Sequence, residues 1–166
     1  MTDSGRTYSR GEFLSFLLGK APKKSRGIPL PYITDKGRAQ EQCPDCGAPC
    51  LTVCPQRIVY KKDEEVPRLI FETAGCTFCK ECALACERGV LSPEQEGPIT
   101  AHIHLDFTRC LAWQNTLCQS CREACPEEAI FFEGLRNPNI RKDVCTRCGL
   151  CVPVCPVSCM EITVSK

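Results

Sequence analysis

Apolar residues in this chain occur in short groups separated by turn-forming residues. Short runs rich in Ile, Val, Phe and Leu, bounded by Gly, Pro, Asn or Asp, are typical of β-strands. Gly134 and the segment Asn137-Pro138-Asn139 predict a turn. Strands are predicted at residues 58–60, 67–71, 103–107, 130–132, 140–144 and 162–164.

Cysteine dominates the composition and changes this picture. The chain has 166 residues, of which 17 are Cys, 11 are Gly and 13 are Pro, and 7% are aromatic. With so few aromatic residues and so many Cys, Gly and Pro residues, the composition argues against an ordinary apolar core. An odd cysteine number without a recognisable secretory signal argues against a disulfide framework and for thiols that bind metal. No apolar stretch is long enough to span a membrane, and a net charge of +1 argues against a nucleic-acid partner.

The cysteines repeat along the chain. All except Cys159 fall into four blocks of four. Block one contains Cys43, Cys46, Cys50 and Cys54; block two Cys76, Cys79, Cys82 and Cys86; block three Cys110, Cys118, Cys121 and Cys125; block four Cys145, Cys148, Cys151 and Cys155.

Blocks two and four have the C-x2-C-x2-C-x3-C spacing that binds [4Fe–4S] clusters in bacterial ferredoxins. The two-residue gaps curl the backbone so that three thiolates converge and amide N–H groups point at the negative cluster. Pro55, Pro126 and Pro156 follow fourth cysteines, where a first helical position needs no N–H. Zinc is the alternative, but zinc sites use separated cysteine pairs, often with histidine. The spacing therefore favours iron–sulfur clusters.

Blocks one and three depart from this spacing. Block one has an extra residue in Gly47-Ala48-Pro49, which must bulge, and Pro49 restricts how. Block three has seven residues between Cys110 and Cys118, including Trp113. We interpret Trp113 as packing over a cluster, since buried aromatic residues usually serve packing, with partner docking as the alternative.

In two-cluster ferredoxins the fourth cysteine of a run binds the other cluster of the pair. Applied to blocks one and two, and to blocks three and four, this rule predicts four [4Fe–4S] clusters. Site one comprises Cys43, Cys46, Cys50 and Cys86; site two Cys54, Cys76, Cys79 and Cys82; site three Cys110, Cys118, Cys121 and Cys155; site four Cys125, Cys145, Cys148 and Cys151.

The predicted fold is α+β, with two tandem bacterial-type di-cluster [4Fe–4S] ferredoxin modules and a basic N-terminal arm. Residues 43–95 form the first module and residues 98–166 the second, joined by a Pro/Gly/Glu linker near 92–98. Residues 1–42 carry eight Lys and Arg against four Asp and Glu. This arm, with a short amphipathic helix predicted at 12–19, is interpreted as partly disordered or as a docking element.

Three residues outside the blocks have alternative readings. His102 and His104 alternate with apolar neighbours, which predicts one solvated strand face, with a proton or metal role as the alternative. Cys159 follows Cys155 by four residues. Packing is the better interpretation of Cys159 than a further ligand, because free cysteine behaves as a small hydrophobic residue.

A resemblance to the NapF family, the ferredoxin-type proteins of periplasmic nitrate reductase operons, rests on block three. The resemblance is based on the segment DFTRCLAWQNTLCQSCREACPEEAIFF, on the ending CGLCVPVCPVS and on the order of the four blocks. The resemblance covers residues 43–166. It implies a cytoplasmic iron–sulfur protein that binds the molybdenum catalytic subunit before export and helps to mature it. The segment 8–14 has one arginine where relatives have a pair, so no twin-arginine export signal is expected.

The sequence leaves three functions open. The first is a maturation factor or electron donor for a molybdoenzyme, as the resemblance implies. The second is a general polyferredoxin or an electron-transfer subunit of another oxidoreductase, and the third is a structural metal-binding adaptor. No nucleophile–base pair, phosphate loop or dinucleotide fingerprint is present, so we expect no enzyme activity from the chain alone. Four oxidised clusters would change the formal charge of +1 to about −7.

Overall fold

The computed structural model describes residues 27–134 and 136–164. Its strands and helices are short, as expected for a chain divided by cysteine blocks. The strands are β1 Ile28–Pro29, β2 Val59–Tyr60, β3 Arg68–Leu69, β4 His102–Leu105, β5 Ile130–Glu133, β6 Arg136–Ile140 and β7 Met160–Thr163. The helices are α1 Lys36–Gln42, α2 Pro49–Thr52, α3 Glu81–Leu84 and α4 Ser120–Glu123. We call residues 27–99 the first half and residues 100–164 the second half.

The first half contains a three-stranded antiparallel sheet with β3 in the middle. Leu69 pairs with Ile28 on one side and with Val59 on the other. Its side chain is 2% exposed and lies at the centre of a core that includes Phe71 and Ile99. Burial of this apolar side chain stabilises the sheet, since strands of two residues offer few backbone hydrogen bonds.

The second half contains two antiparallel pairs. Strand β4 pairs with β7, so that the first and last strands of this half meet, and Ile103 lies opposite Ile162. Strands β5 and β6 form a hairpin. The core between them includes Ala129, Ile130 and Met160.

The hairpin corrects one prediction. Asn137, Pro138 and Asn139 do not form a turn but lie inside β6, and the predicted strand at 140–144 ends at Ile140. A two-stranded hairpin has two edges, so the missing N–H of a proline is tolerated there. The ladder is irregular between Phe132 and Glu133, and Asn137 has a φ of 56°. These irregularities accommodate turn-type residues within a strand.

Part of the predicted N-terminal arm belongs to the folded core. Residues 27–42 contribute β1 and α1, and the side chains of Ile28, Leu30 and Tyr32 are buried. Asp35 caps α1 by accepting a hydrogen bond of 2.7 Å from the Gly37 amide. The predicted helix at 12–19 and most of the basic residues of the arm lie outside the described residues.

The two halves meet at a close backbone contact. The Cys76 amide donates a hydrogen bond of 2.7 Å to the Cys148 carbonyl. A Cβ on Gly75 would lie 2.4 Å from the Leu150 nitrogen, and a Cβ on Gly149 would lie 2.4 Å from the Phe71 ring. Glycine is therefore required at both positions for the halves to approach this closely.

No helix among the described residues has the length and apolar character needed to cross a membrane.

Candidate metal centres

The four cysteine blocks share one local structure. In the first three blocks the third cysteine lies on a one-turn helix, Cys50 on α2, Cys82 on α3 and Cys121 on α4, whereas Cys151 lies in a turn. After every fourth cysteine the chain reverses at a residue with φ between 47° and 62°, whose amide donates to the carbonyl of that cysteine. The pairs are Arg57 with Cys54, Gly89 with Cys86, Glu128 with Cys125 and Ser158 with Cys155.

A buried residue follows each of these turns. Ile58, Val90, Ala129 and Cys159 each come four residues after a fourth cysteine, and none is more than 3% exposed. Cys159 thus occupies a position that holds an apolar side chain in the other three blocks. This placement supports the packing interpretation of Cys159.

The structure brings the thiols together in the four predicted sets. Three of the sets each line a hollow of their own. The cysteines of site one line the first hollow, those of site four line the second, and those of site three line the third together with Cys159. In site two, Cys76 and Cys82 lie close enough to Cys54 and Cys79 to be influenced by their charges. The fourth cysteine of each block thus lies with the other block of its pair. That these sets bind clusters stays a prediction.

Several thiols of these sets are poor acids as long as they are free. Burial, followed by the charges of neighbouring thiolates, raises the pKa of Cys82 to about 12 and that of Cys50 to about 11. The pKa of Cys121 is also raised to about 11, and that of Cys151 is raised strongly, by the same causes. Four buried thiolates become compatible only when cationic metal compensates their charge. This donor set fits an iron–sulfur cluster.

Backbone amides are aimed at several of the sulfurs. The Phe78 amide donates to Cys76 Sγ, and the Ala48 amide donates to Cys46 Sγ, each at 3.4 Å. Both donors have a left-handed backbone, with φ of 53° and 52°. This turn geometry places N–H groups around a site of concentrated negative charge, as ferredoxin runs require.

Described residues do not converge on a mononuclear site. Among them, no group of three or more His, Cys, Asp or Glu side chains is placed to hold a single metal ion. Four thiolates around one zinc ion would lie about 3.8 Å apart, given a Zn–S distance of about 2.3 Å.

His102 and His104 lie with exposed side chains on β4, on either side of the buried Ile103, as predicted for a solvated face.

The extra residue of block one is absorbed at Ala48. Its left-handed backbone serves as the N-cap of α2, and Pro49 takes the first position of the helix, where no amide hydrogen is needed. Lys61 closes the loop from outside, because its Nζ donates to the carbonyls of Pro44 at 2.9 Å and Cys46 at 2.8 Å. Nothing in the residues around Lys61 predicts this contact.

The insertion of block three forms a closed loop that returns Cys118 to site three. Leu111 lines the hollow there, whereas Trp113 is not among the lining residues. Trp113 Nε1 donates to the Pro138 carbonyl at 3.3 Å, and its ring lies 5.8 Å from that of Phe107. Trp113 thus fixes the loop to β6 rather than covering the hollow.

Cys159 brings a fifth thiol to site three. Its Sγ lies 3.3 Å from Cys155 Sγ, and its amide donates to the same sulfur at 3.3 Å. Burial raises the pKa of Cys159, and the neighbouring Cys155 raises it further. Burial opposes ionisation of Cys155 as well, but the amide and thiol of Cys159 lower its pKa overall. This difference in pKa favours Cys155 over Cys159 as the thiolate of the pair.

The sites follow one another in space in an order that differs from the sequence. Site one approaches site two where α2 contacts α3, through Cys50 and Cys82. Site two meets site four at the hydrogen bond between Cys76 and Cys148. Site four approaches site three through Cys151 and Cys121. The spatial order is therefore one, two, four, three.

Comparison with known proteins finds a family model and several relatives of the ferredoxin type. A 4Fe-4S dicluster domain model matches residues 116–159. The ferredoxin-type protein NapF of Escherichia coli K12 is 33% identical over 149 residues, covering 86% of this chain and 88% of its own. NapF of Haemophilus influenzae is 32% identical over 163 residues, covering 95% and 92%. The ferredoxin-type protein NapG of the same organism is 27% identical over 172 residues, covering 86% and 61%.

The cysteine blocks, their turns and the matched domain define an iron–sulfur protein of the 4Fe-4S ferredoxin class. Identity of about one third over most of both chains is then decisive for the finer assignment. The chain belongs to the NapF family of ferredoxin-type proteins.

Proposed function

We propose that this protein binds four [4Fe–4S] clusters through its sixteen block cysteines and serves a molybdenum-containing nitrate reductase as an accessory factor. In this proposal residues 43–95 and 98–166 are tandem di-cluster modules. The observation that carries it is the meeting of the thiols in four separate sets of four. Membership of the NapF family supports the link to nitrate reduction.

A bound [4Fe–4S] cluster supplies a one-electron redox centre. Because a cysteine binds each of its four irons, no iron has an open coordination position for a substrate. The chain's own residues hold the thiolates, supply amides such as that of Phe78 to the sulfurs, and exclude water at the buried cysteines. Because the sites follow one another in the spatial order one, two, four, three, sites one and three are the two ends of a path for electrons. Electrons would enter at one end and leave at the other, with the contact between Cys76 and Cys148 as the link between the halves.

The protein acts in the cytoplasm on the catalytic subunit before that subunit is exported, either as electron donor or as a factor that helps to complete its cluster. It has no enzyme activity by itself in this proposal. Electron transfer to a different oxidoreductase is the competing function, because a one-electron path through clusters does not by itself select its partner.

Anaerobic purification followed by iron and sulfide analysis tests the cluster content. We expect about 16 iron atoms per chain, four for each of four cubanes, and cubane signals in electron paramagnetic resonance (EPR) spectra after reduction. A content near eight would limit the clusters to one half of the chain.

A binding experiment tests the partner. We expect the loaded protein to bind the catalytic subunit that still carries its export signal, and a mature subunit taken from the periplasm serves as the matched comparison. Equal binding to both would contradict a role before export. Binding to neither, together with electron transfer to another reductase, would favour the competing function.

A further inference from the structure

Tyr32 has a buried hydroxyl that the protein itself does not satisfy. Its side chain belongs to the first-half core and is 7% exposed. Among the described residues, its hydroxyl is the one buried side-chain nitrogen or oxygen without a hydrogen-bond partner. Buried polar groups are nearly always paired, so an unpaired hydroxyl indicates a partner that is not part of the polypeptide.

The hydroxyl lies on the side of site two. The ring of Tyr32 packs edge-on against Phe78, with centroids 6.4 Å apart, and Phe78 lies between Cys76 and Cys79. Burial, and then the charges of Cys76, Cys82 and Cys79, raise the pKa of Tyr32 to about 12. The nearby Lys80 amide opposes this rise, although it makes no hydrogen bond with the hydroxyl.

The backbone holds Tyr32 in an unfavourable conformation. Its φ of 72° is a left-handed value that costs free energy for a residue other than glycine. The Tyr32 carbonyl accepts a hydrogen bond of 2.9 Å from the Ser92 amide, and the bridge between Ile33 and Leu91 fixes the next residue. These contacts join Tyr32 to the segment after Cys86. Such strain persists only where the surroundings impose it, and it is common at functional sites.

We propose that the Tyr32 hydroxyl donates a hydrogen bond to a sulfur of the cluster held at site two and raises the reduction potential of that cluster. Reduction adds negative charge to the cluster, and a hydrogen-bond donor stabilises the more negative form. Tyr32 is therefore a positioning residue that sets the potential at the site next to the junction of the halves. This inference rests on the proposed function, because it requires a cluster at site two.

The substitution Tyr32→Phe tests the inference, since it removes the hydroxyl and keeps the ring against Phe78. We expect unchanged iron and sulfide content and a shift of one of the four potentials to a more negative value in an EPR-monitored titration. A tenfold fall in the ratio of reduced to oxidised cluster corresponds to about 59 mV. Tyr60→Phe is the matched control, because Tyr60 is 49% exposed on β2.

The shifted component is assigned with the variant Cys79→Ala, which should lose the same component. Four unchanged potentials in loaded Tyr32→Phe protein, or a shift to a more positive value, would overturn the inference and leave the proposed function intact. If the wild-type protein holds no cubane that depends on Cys79, the proposed function fails at site two, and the inference fails with it.

Discussion

Sites two and four lie next to each other across the junction, yet the protein covers them differently. Cys79 of site two is exposed, and its other three cysteines are half-buried. At site four, Cys145, Cys148 and Cys151 are all buried. The same contrast holds for the halves, since Cys50 is the one buried block cysteine of the first half. Equal spacing of the thiols therefore does not produce equal protection.

The cover comes from the elements outside the cysteine blocks. In the second half, β4 and β7 pair over four residues and β5 and β6 form a hairpin. In the first half, the sheet has strands of only two residues. A single β-bridge between Ile33 and Leu91 takes the position that the β4–β7 pair has in the second half. Solvent exposure is one of the factors that set the potential of a cluster and its access to oxidants. The halves are thus expected to differ in redox behaviour.

Exposure to a chelator and air gives the largest test of this comparison. We expect two phases of iron release from the loaded protein, the first removing about eight of about 16 iron atoms, with site two the first to be lost. Iron release with time and the EPR signals that remain provide the measurement. A single phase would contradict the difference between the halves.

Cross-over binding predicts a smaller loss, of one cubane. Cys54→Ala should remove about four iron atoms from site two and leave site one loaded, although Cys54 belongs to block one. Cys125→Ala is the matched variant in the second half and should affect site four. Iron analysis and EPR spectra measure both. Loss of the signal of site one in Cys54→Ala would show that the block binds its own cluster.

Gly75→Ala should weaken the junction between the differently covered sites. Its new Cβ would lie 2.4 Å from the Leu150 nitrogen, so the halves must separate, and we expect a loss of about 1–3 kcal/mol in the free energy of unfolding. Electron transfer between sites two and four should slow. Gly47→Ala is the control, because no atom lies within 4 Å of its new Cβ. Equal stability of the two variants in denaturant titrations would argue against a tight junction.

The smallest effect is expected for Cys159→Ala. Ala129 occupies the equivalent position after block three, so alanine suits this site, and we expect a cost of about 1 kcal/mol or less for the lost sulfur packing. All clusters should remain, and thermal unfolding of the loaded protein measures the change. Loss of a cubane would make Cys159 a ligand and would contradict its packing role.

Much of the site follows from the sequence because cysteine spacing is a local property. The grouping of Cys54 with block two and of Cys125 with block four agrees with the rule for ferredoxin runs. Short strands were predicted near their observed positions because apolar runs report burial. The turn predicted at residues 137–139 is wrong, since the irregular hairpin tolerates proline and a left-handed asparagine within a strand.

Features that depend on distant contacts could not be predicted. Pro31 indicates a turn at Tyr32, but a left-handed tyrosine is rare in such a turn, and the Ser92 and Leu91 contacts beside it join segments far apart in the sequence. Lys61 directly follows β2, and it donates to carbonyl groups of block one only because the fold brings β2 beside that block. The order of the sites likewise depends on how the halves meet at Cys76 and Cys148. Each of these requires knowledge of the tertiary structure.

The cross-over of the fourth cysteines has a consequence during protein synthesis. A ribosome releases block one well before block two, yet in the proposed assignment site one needs Cys86 and site two needs Cys54. Neither site of a pair can be completed until both blocks have emerged. We therefore expect nascent chains to accept clusters in two instalments, one after Cys86 and one after Cys155, rather than one cluster at a time.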